Sequence, residues 1–324
     1  MKKKLVTVNT VALHAGVSQT TVSRVLNDSP SINFQTRLAV QRAIKELGYQ
    51  ERSKEKKQNR RIALLMCPLA EQRNPWALDF FNEVLIGVKE ILEQEGYGLT
   101  IMTLPHEAEL TPQTIDLEDT CGIILVNKPS RALVHHLQEF HQPIIIAAAD
   151  AVHDSLGVDL VINNNIEFGR QACRYMLSHG IMPFALLMPQ CYEERITGVT
   201  MELAFQGKTL PPECFPVLTS TEISEFIKVL MNFLNNNNLP RGLIIQHYDA
   251  AQALASILEC KHIRVPEDVK IFTFVHCREQ NRFPMLLQFP REIGRKAAQG
   301  VLNRLRWPNN IPCNYMIPAQ LVEP

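Results

Sequence analysis

Apolar residues recur at helical spacing in two short stretches near the amino terminus, with a glycine between the stretches. The two apolar stripes consist of Val8, Val11, Ala12 and Ala15, and of Val17, Val22, Val25 and Leu26. Thr7 and Ser18 stand where helix caps are expected, and Gly16 supplies the backbone freedom that a sharp turn needs. Gln19, Thr20, Ser23 and Arg24 then face away from the second stripe. The pattern predicts a helix-turn-helix whose second helix begins with a polar tip.

Such a polar tip is the part of a recognition helix that meets base edges and phosphates in the major groove. The alternative is an ordinary helical hairpin with a glycine between its helices. A third helix is predicted from Asn33, with Leu38, Ile44 and Leu47 as its apolar positions and Gly48 at its end. We therefore predict a small all-α headpiece over residues 1–49.

From residue 61 onward, short apolar runs alternate with amphipathic helical stretches, which is typical of an α/β fold. Strands are predicted at Ile62–Cys67, Leu99–Leu104, Gly122–Val126, Ile144–Ala148, Phe184–Met188, Leu243–Gln246 and Lys270–Phe274. Helices are predicted at Leu78–Gln94, Arg131–Phe140, Glu167–Ser178, Thr197–Phe205, Ser224–Asn235 and Ala250–Glu259. This alternation favours parallel sheets with ligands beyond the carboxyl ends of the strands. The run of asparagines at 235–238 is expected to be a loop.

Charge divides the chain in the same way as the hydrophobic pattern does. Residues 1–61 contain thirteen Lys and Arg but only four Asp and Glu, whereas the remaining residues contain 20 basic and 29 acidic side chains. The formal net charge of zero therefore conceals a basic arm and an acidic body. The arm suits phosphate binding, and the body should be repelled from DNA.

Composition excludes several classes of protein. The chain has 324 residues and 46% hydrophobic content, and no apolar run approaches the ~18 residues of a membrane helix. Its amino terminus lacks the apolar core of a signal peptide, and its eight cysteines form no Cys-x-x-Cys pair. We expect a cytoplasmic protein with reduced thiols and no structural zinc.

The headpiece resembles the LacI/GalR family of bacterial transcription regulators. The resemblance rests on Ala12, Ala15-Gly16-Val17-Ser18, Thr21-Val22-Ser23-Arg24-Val25-Leu26-Asn27, Thr36-Arg37 and Leu47-Gly48-Tyr49. It implies a homodimer that reads a palindromic operator, usually as a repressor. At the positions matching the family, Gln19 and Thr20 would select bases and Arg24 would donate to a guanine edge. Phosphate contacts would come from Thr7, Ser18, Thr21, Ser23 and Asn27.

The resemblance extends through residues 62–324. Matching segments include Asn74-Pro75-Trp76, Gly96-Tyr97, Arg195-Ile-Thr-Gly198, Val265-Pro-Glu-Asp-Val269 and Ile317-Pro318-Ala-Gln-Leu321. It implies a periplasmic-binding-protein-like core of two Rossmann-like subdomains, joined by three crossings, that binds a sugar-like effector in the cleft between them. Such regulators commonly control carbohydrate metabolism. The stretch Gly122–Ser130 is similar to the β-galactosidase-type repressor branch. The sequence ends without a leucine-heptad tail, which favours a dimer over a tetramer.

The linker at residues 50–61 departs from the family pattern. Relatives usually carry a hinge helix whose leucines wedge into the minor groove, but this segment has no leucine and is rich in Lys and Arg. One interpretation is a cationic tether that contacts phosphates and makes binding sensitive to salt. The other is a plain disordered linker.

The effector cleft departs from the family as well. Where relatives place carboxylates, this chain has Ala147-Ala148-Ala149, Gln246-His247 and Thr273-Phe274-Val275-His276. The family's ligand-contacting arginine is retained as Arg195. The candidate effector-binding residues are Asn74, Lys128, Arg195, His247 and His276. A cleft with Arg and His but without these carboxylates favours a phosphorylated or carboxylated sugar derivative. The alternative is a cleft that has lost small-molecule binding.

Motifs for catalysis are missing. No Gly-x-Gly-x-x-Gly and no P-loop motif occurs, so we expect neither an enzyme nor a bound cofactor. His135, His136, Glu139 and His141 crowd one helical stretch and imitate a metal site, but a solvated helix face is favoured there. A sugar-binding module without a DNA role is a further alternative. The basic headpiece and the missing signal peptide argue against it.

Overall fold

The computed structural model describes most of the chain in two compact units, residues 1–59 and 60–324. The described residues are 7–26, 34–47, 61–67, 75–104, 115, 117, 119–148, 156–189, 192–218, 222–276 and 282–324. Asn27, Asn74 and most of the linker lie outside these ranges. The linker's last predicted residue, Arg61, is the first residue of a strand.

The described residues of the first unit form three helices. They are α1 (Val8–Ala15), α2 (Gln19–Leu26) and α3 (Phe34–Leu47). Their buried core comprises Val11, Ala12, Val22, Val25, Val40 and Ala43. Gly16 ends α1 with φ 66°, a left-handed conformation that glycine adopts without steric cost. The predicted helix, turn and helix are therefore present.

The second unit contains two sheets flanked by helices. Its strands are β1 (Arg61–Met66), β2 (Gly98–Thr103), β3 (Gly122–Val126), β4 (Ile144–Ala147), β5 (Asp159–Asn163), β6 (Phe184–Leu187), β7 (Gly242–Ile245), β8 (Lys270–Val275), β9 (Met285–Leu287), β10 (Asn314–Ile317) and β11 (Gln320–Val322). Its helices are α4 (Pro75–Gln94), α5 (Arg131–Gln138), α6 (Asn165–Ser178), α7 (Glu193–Phe205), α8 (Ile223–Asn235), α9 (Tyr248–Cys260) and α10 (Pro290–Arg306).

The first sheet has the order β10-β5-β4-β3-β1-β2, and all its described pairs are parallel. The second sheet has the order β11-β9-β8-β7-β6, with β11 antiparallel to β9. The chain passes between the sheets after β5, after β9 and after β10. These are the three crossings between two Rossmann-like subdomains that the family resemblance implied.

Glycines allow two pairs of helices to touch through their backbones. A Cβ atom on Gly87 of α4 would collide with the Arg291 carbonyl oxygen of α10, and one on Gly294 would collide with the Val84 carbonyl oxygen of α4. Gly169 of α6 and Gly198 of α7 make the equivalent contact. Only glycine permits such close approach, so these four positions set the spacing of both helix pairs.

The seven predicted strands occur within one residue of their expected ends. The predicted helices also occur, but some begin up to four residues earlier, as α7 does at Glu193. The asparagine run begins at the last residue of α8 and continues as the expected loop. The sequence patterns did not predict β5, β9, β10, β11 or α10.

Candidate functional site: the helix-turn-helix surface and the Arg195 cluster

Side-chain caps fix the two helices of the helix-turn-helix. Thr7 Oγ1 accepts from the Thr10 backbone N–H, while Thr10 Oγ1 accepts from the Thr7 backbone N–H, which forms a reciprocal capping box. Ser18 Oγ accepts from the Thr21 backbone N–H at 3.1 Å and lies 2.8 Å from Thr21 Oγ1. These bonds satisfy helix N–H groups that would otherwise lack acceptors.

The polar tip of α2 is directed outward. Ser18, Gln19, Thr20 and Arg24 are exposed, Thr21 is half-buried, and Val22 and Val25 are buried in the core. Thr7 is exposed at the start of α1. The backbone of Ser23 belongs to α2, but its side chain and Asn27 lie outside the described part of the structure. The described candidates thus form one polar surface over an apolar base.

Positive charge dominates the described residues of this unit. Arg24, Arg42 and Lys45 are exposed, and Arg37 is half-buried. Among the described residues of this unit, Glu46 is the only acidic one. Its carboxylate lies 2.9 Å from His14 Nε2. The net positive charge of the described residues therefore suits this unit to a polyanion.

In the second unit, Arg195 of α7 is the centre of a polar cluster between the two sheets. Its side chain is 2% exposed. Nε donates to Asn165 Oδ1 at 2.9 Å, Nη1 to Gln246 Oε1 at 3.0 Å, and Nη2 to Gln288 Oε1 at 3.0 Å. Asn165 follows the first crossing, Gln246 follows β7, and Gln288 begins the second crossing. The arginine therefore ties three separate segments together.

Aromatic rings enclose the guanidinium group of Arg195. Its Cζ lies 4.6 Å from the ring centroid of Phe274, 5.1 Å from that of Tyr192 and 5.3 Å from that of Phe168. Cation–π attraction to these rings, together with the amide acceptors, offsets part of the cost of burying the charge.

Two histidines lie next to this cluster. The His247 ring packs edge-on against Tyr192 at 5.9 Å and Phe226 at 6.3 Å, and the His276 ring packs against Phe80 of α4 at 5.9 Å. Burial, with smaller effects from Arg195 and His276, lowers the pKa of His247 to about 3. Burial also lowers the pKa of His276, while Asp79 and Glu83 act in the opposite direction. Near neutral pH, His247 therefore adds no positive charge beside Arg195.

Comparison with known proteins finds family matches in both units. Residues 7–51 match the family of bacterial regulatory proteins, lacI family, and residues 173–323 match the periplasmic binding protein-like domain. The chain therefore carries a lacI-family DNA-binding domain and a periplasmic binding protein-like domain. It is a DNA-binding transcriptional regulator with a periplasmic-binding-protein-like core.

Known transcriptional regulators align along nearly the whole chain. The transcriptional regulator MalR of Staphylococcus xylosus is 23% identical over 98% of this chain and 97% of its own length. The repressor PurR of Vibrio cholerae is 24% identical over 93% of this chain and 92% of its own. Among solved structures, the regulator CelR in complex with cellobiose has a TM-score of 0.68 at 22% identity and 98% coverage of each chain. The lac repressor dimer bound to operator and the anti-inducer ONPF has a TM-score of 0.65 at 19% identity, covering 99% of this chain and 98% of the other.

The structure brings some of the predicted cleft residues together. Arg195 and His247 share the cluster, and His276 lies close enough to influence the pKa of His247. Lys128 is exposed just past the carboxyl end of β3. The sequence interpretation did not predict Asn165 or Gln288, although a lone glutamine between the apolar residues Leu287 and Phe289 was a usable signal.

The histidine-rich stretch of α5, which resembles a metal site in sequence, makes pairwise contacts with its own neighbours. His136 Nδ1 lies 3.3 Å from Glu139 Oε2, and His135 Nδ1 lies 3.2 Å from Gln138 Oε1. Within the described ranges, no group of three or more His, Cys, Asp or Glu is arranged to hold a metal ion. None of the described helices is both long enough and apolar enough to cross a membrane.

Proposed function

We propose that the chain is a repressor that binds a palindromic operator as a homodimer, in the bacterial cytoplasm where the chromosome lies. The observation that carries the proposal is the exposed polar tip Ser18–Arg24 on a capped helix above a buried apolar stripe. The proposed repressor acts by occupying its DNA site and does not catalyse a reaction. Two headpieces related by a two-fold axis read two half-sites, which is why operator symmetry follows protein symmetry.

Within this proposal the polar residues have separate tasks. Gln19 and Thr20 face the bases at the tip of α2, and Arg24 donates to a guanine edge. Thr7, Ser18, Thr21, Ser23 and Asn27 hold phosphates and fix the position of the helix without carrying sequence information. The described side chains are exposed, except for the half-buried Thr21, and this exposure supports their access to DNA.

The stoichiometry and the salt dependence test the proposal together. Light scattering on the protein, alone and with a selected operator, should give the mass of a dimer and of a dimer with one duplex. Binding should weaken steeply as salt increases, because phosphate contacts release counterions. Substituting Lys54, Lys56 and Lys57 should reduce that slope if the linker contacts phosphates, and an unchanged slope identifies a plain linker. A monomer bound to DNA contradicts the proposal.

For the cleft, we propose an anionic sugar derivative as the effector. The support is that Arg195 is the permanent cation of the cluster, with a neutral histidine beside it and amides as its hydrogen-bond acceptors. Lys128 and His276 would assist it, and Asn74 is the remaining candidate. A phosphate or carboxylate would replace the amide oxygens of Gln246 and Gln288 on Arg195, gaining a charge-assisted bond.

The regulator without small-molecule control is the second candidate. The observation that favours it is that Arg195 is nearly fully buried and already donates to three protein amides. Calorimetry with sugar phosphates and the matching neutral sugars separates the two. Binding of the phosphates alone supports the anionic effector, and tightest binding of a neutral sugar overturns it. No binding by either set supports the second candidate.

A further inference from the structure

A side-chain hydrogen bond links the two helices of the helix-turn-helix at its exposed tip. Gln19 Nε2, on the first residue of α2, donates to Asn9 Oδ1 of α1 across 2.9 Å. Both side chains are exposed. A hydrogen bond between two solvated amides adds little to folding stability, because water competes for both groups. Its main physical consequence is to restrict the orientation of the Gln19 amide.

We propose that Asn9 is a positioning residue that sets which base Gln19 selects. The Gln19 amide has two N–H groups and one carbonyl oxygen. Because Asn9 takes one N–H, the carbonyl oxygen and the second N–H remain for DNA. Without Asn9 the terminal amide rotates, and several arrangements of donor and acceptor face the groove.

The chemistry of this fixed edge identifies the base. A glutamine amide that presents one donor and one acceptor side by side is complementary to adenine, which offers its N7 acceptor and its N6 donor in the major groove. Guanine offers two acceptors there and repels the carbonyl oxygen. We therefore assign Gln19, held by Asn9, to an adenine in each half-site.

This inference rests on the proposed operator binding, and its test is a base-preference measurement. The purified full-length chain is equilibrated with a duplex library randomised over the half-site, and bound sequences are counted. The variants are Gln19→Ala, Asn9→Ala, Asn9→Asp and the double variant Asn9→Ala with Gln19→Ala. Gln41→Ala, at an exposed position on α3, is the matched control for loss of a surface amide. Base preference is a ratio, so uniform changes in DNA affinity cancel.

The inference predicts that Gln19→Ala reduces the preference for adenine at one half-site position roughly 10-fold. Asn9→Ala should reduce the preference at the same position, and the double variant should be no worse than Gln19→Ala alone. Asn9→Asp should retain the preference, since a carboxylate still accepts from Gln19 Nε2, although its charge lowers affinity for every duplex. Gln41→Ala should match the wild type.

Three results overturn the inference. One is an unchanged preference in Asn9→Ala where Gln19→Ala loses it. Another is additive loss in the double variant, which would mean that the residues act separately. The third is a base other than adenine at the position that depends on Gln19. A wild-type chain that enriches no sequence refutes operator binding itself, which is a separate outcome. Unchanged melting temperatures in all variants show that folding is intact.

Discussion

Gln288 Oε1 accepts from Arg195 Nη2 at 3.0 Å and from Asn163 Nδ2 at 3.1 Å. Asn163 ends β5 at the first crossing, and Gln288 begins the second. One side-chain carbonyl therefore joins α7 to two of the three chain crossings between the subdomains.

Replacing Gln288 with Ala should lower the free energy of unfolding by about 2–4 kcal/mol, since the buried Arg195 and the half-buried Asn163 both lose this acceptor. Chemical denaturation of the purified chain measures the change. Gln288→Glu should retain stability because its carboxylate accepts from the same donors. Gln252→Ala, at an exposed position on α9, should change stability by less than about 0.5 kcal/mol. Equal effects of the two Ala variants would show that the bonds to Gln288 contribute nothing.

The contact between α4 and α10 predicts opposite effects for two glycines on one helix. Gly294→Ala places a Cβ against the Val84 carbonyl oxygen and should destabilise the chain by about 2 kcal/mol or more, because the helices must separate. Gly300→Ala meets only Ile145 at 3.4 Å and should be neutral or stabilising by up to about 1 kcal/mol, since alanine favours helix. Thermal unfolding of both variants checks this pair. A Gly294→Ala protein as stable as Gly300→Ala contradicts the close contact.

Local patterns predicted the headpiece well, because caps, a turn glycine and an apolar stripe all lie within twenty residues. The cluster around Arg195 could not be predicted in this way, since Gln288 is 93 positions from Arg195 in sequence. Helix α10 escaped prediction because Gly294 and Gly300 interrupt its pattern, and interior glycines weaken helix propensity. Gly294 is explained by its close backbone contact with α4, and sequence periodicity does not show such a contact.

The lowered pKa of His247 predicts a loss of stability in acid. Because its pKa is about 3 in the folded state, His247 stays neutral there down to about pH 3, whereas in the unfolded chain it binds a proton near the ordinary histidine pKa of 6.5. The contribution of His247 to the free energy of unfolding is therefore fully present above about pH 6.5, and it decreases as the pH falls towards 3. Between pH 7 and pH 5 the loss should be about 2 kcal/mol.

Denaturation at both pH values, in the wild type and in His247→Gln, measures this contribution. The variant should lose most of the difference between pH 7 and pH 5. His135→Gln, an exposed control on α5, should retain it. The same pH dependence in His247→Gln as in the wild type would show that His247 is not the responsible group.

Arg24 is predicted to read one base pair. Arg24→Ala should weaken operator binding by about 1–3 kcal/mol and relax selectivity at a single position, because the bond to a base edge is lost. Arg42→Ala, an exposed arginine of α3, should leave selectivity unchanged at every position. Fluorescence anisotropy with single-base operator variants gives both quantities. Equal weakening on all duplexes in Arg24→Ala would assign Arg24 to phosphates.

Operator recognition is tested most directly by the ratio of the affinities for a selected duplex and for random duplex, measured with the full-length chain at moderate salt. If the polar tip of α2 enters the major groove, the ratio should be about 1,000 or more, and the selected sequence should have two-fold symmetry. A ratio near one, with no symmetric sequence enriched, would show that this surface does not recognise an operator.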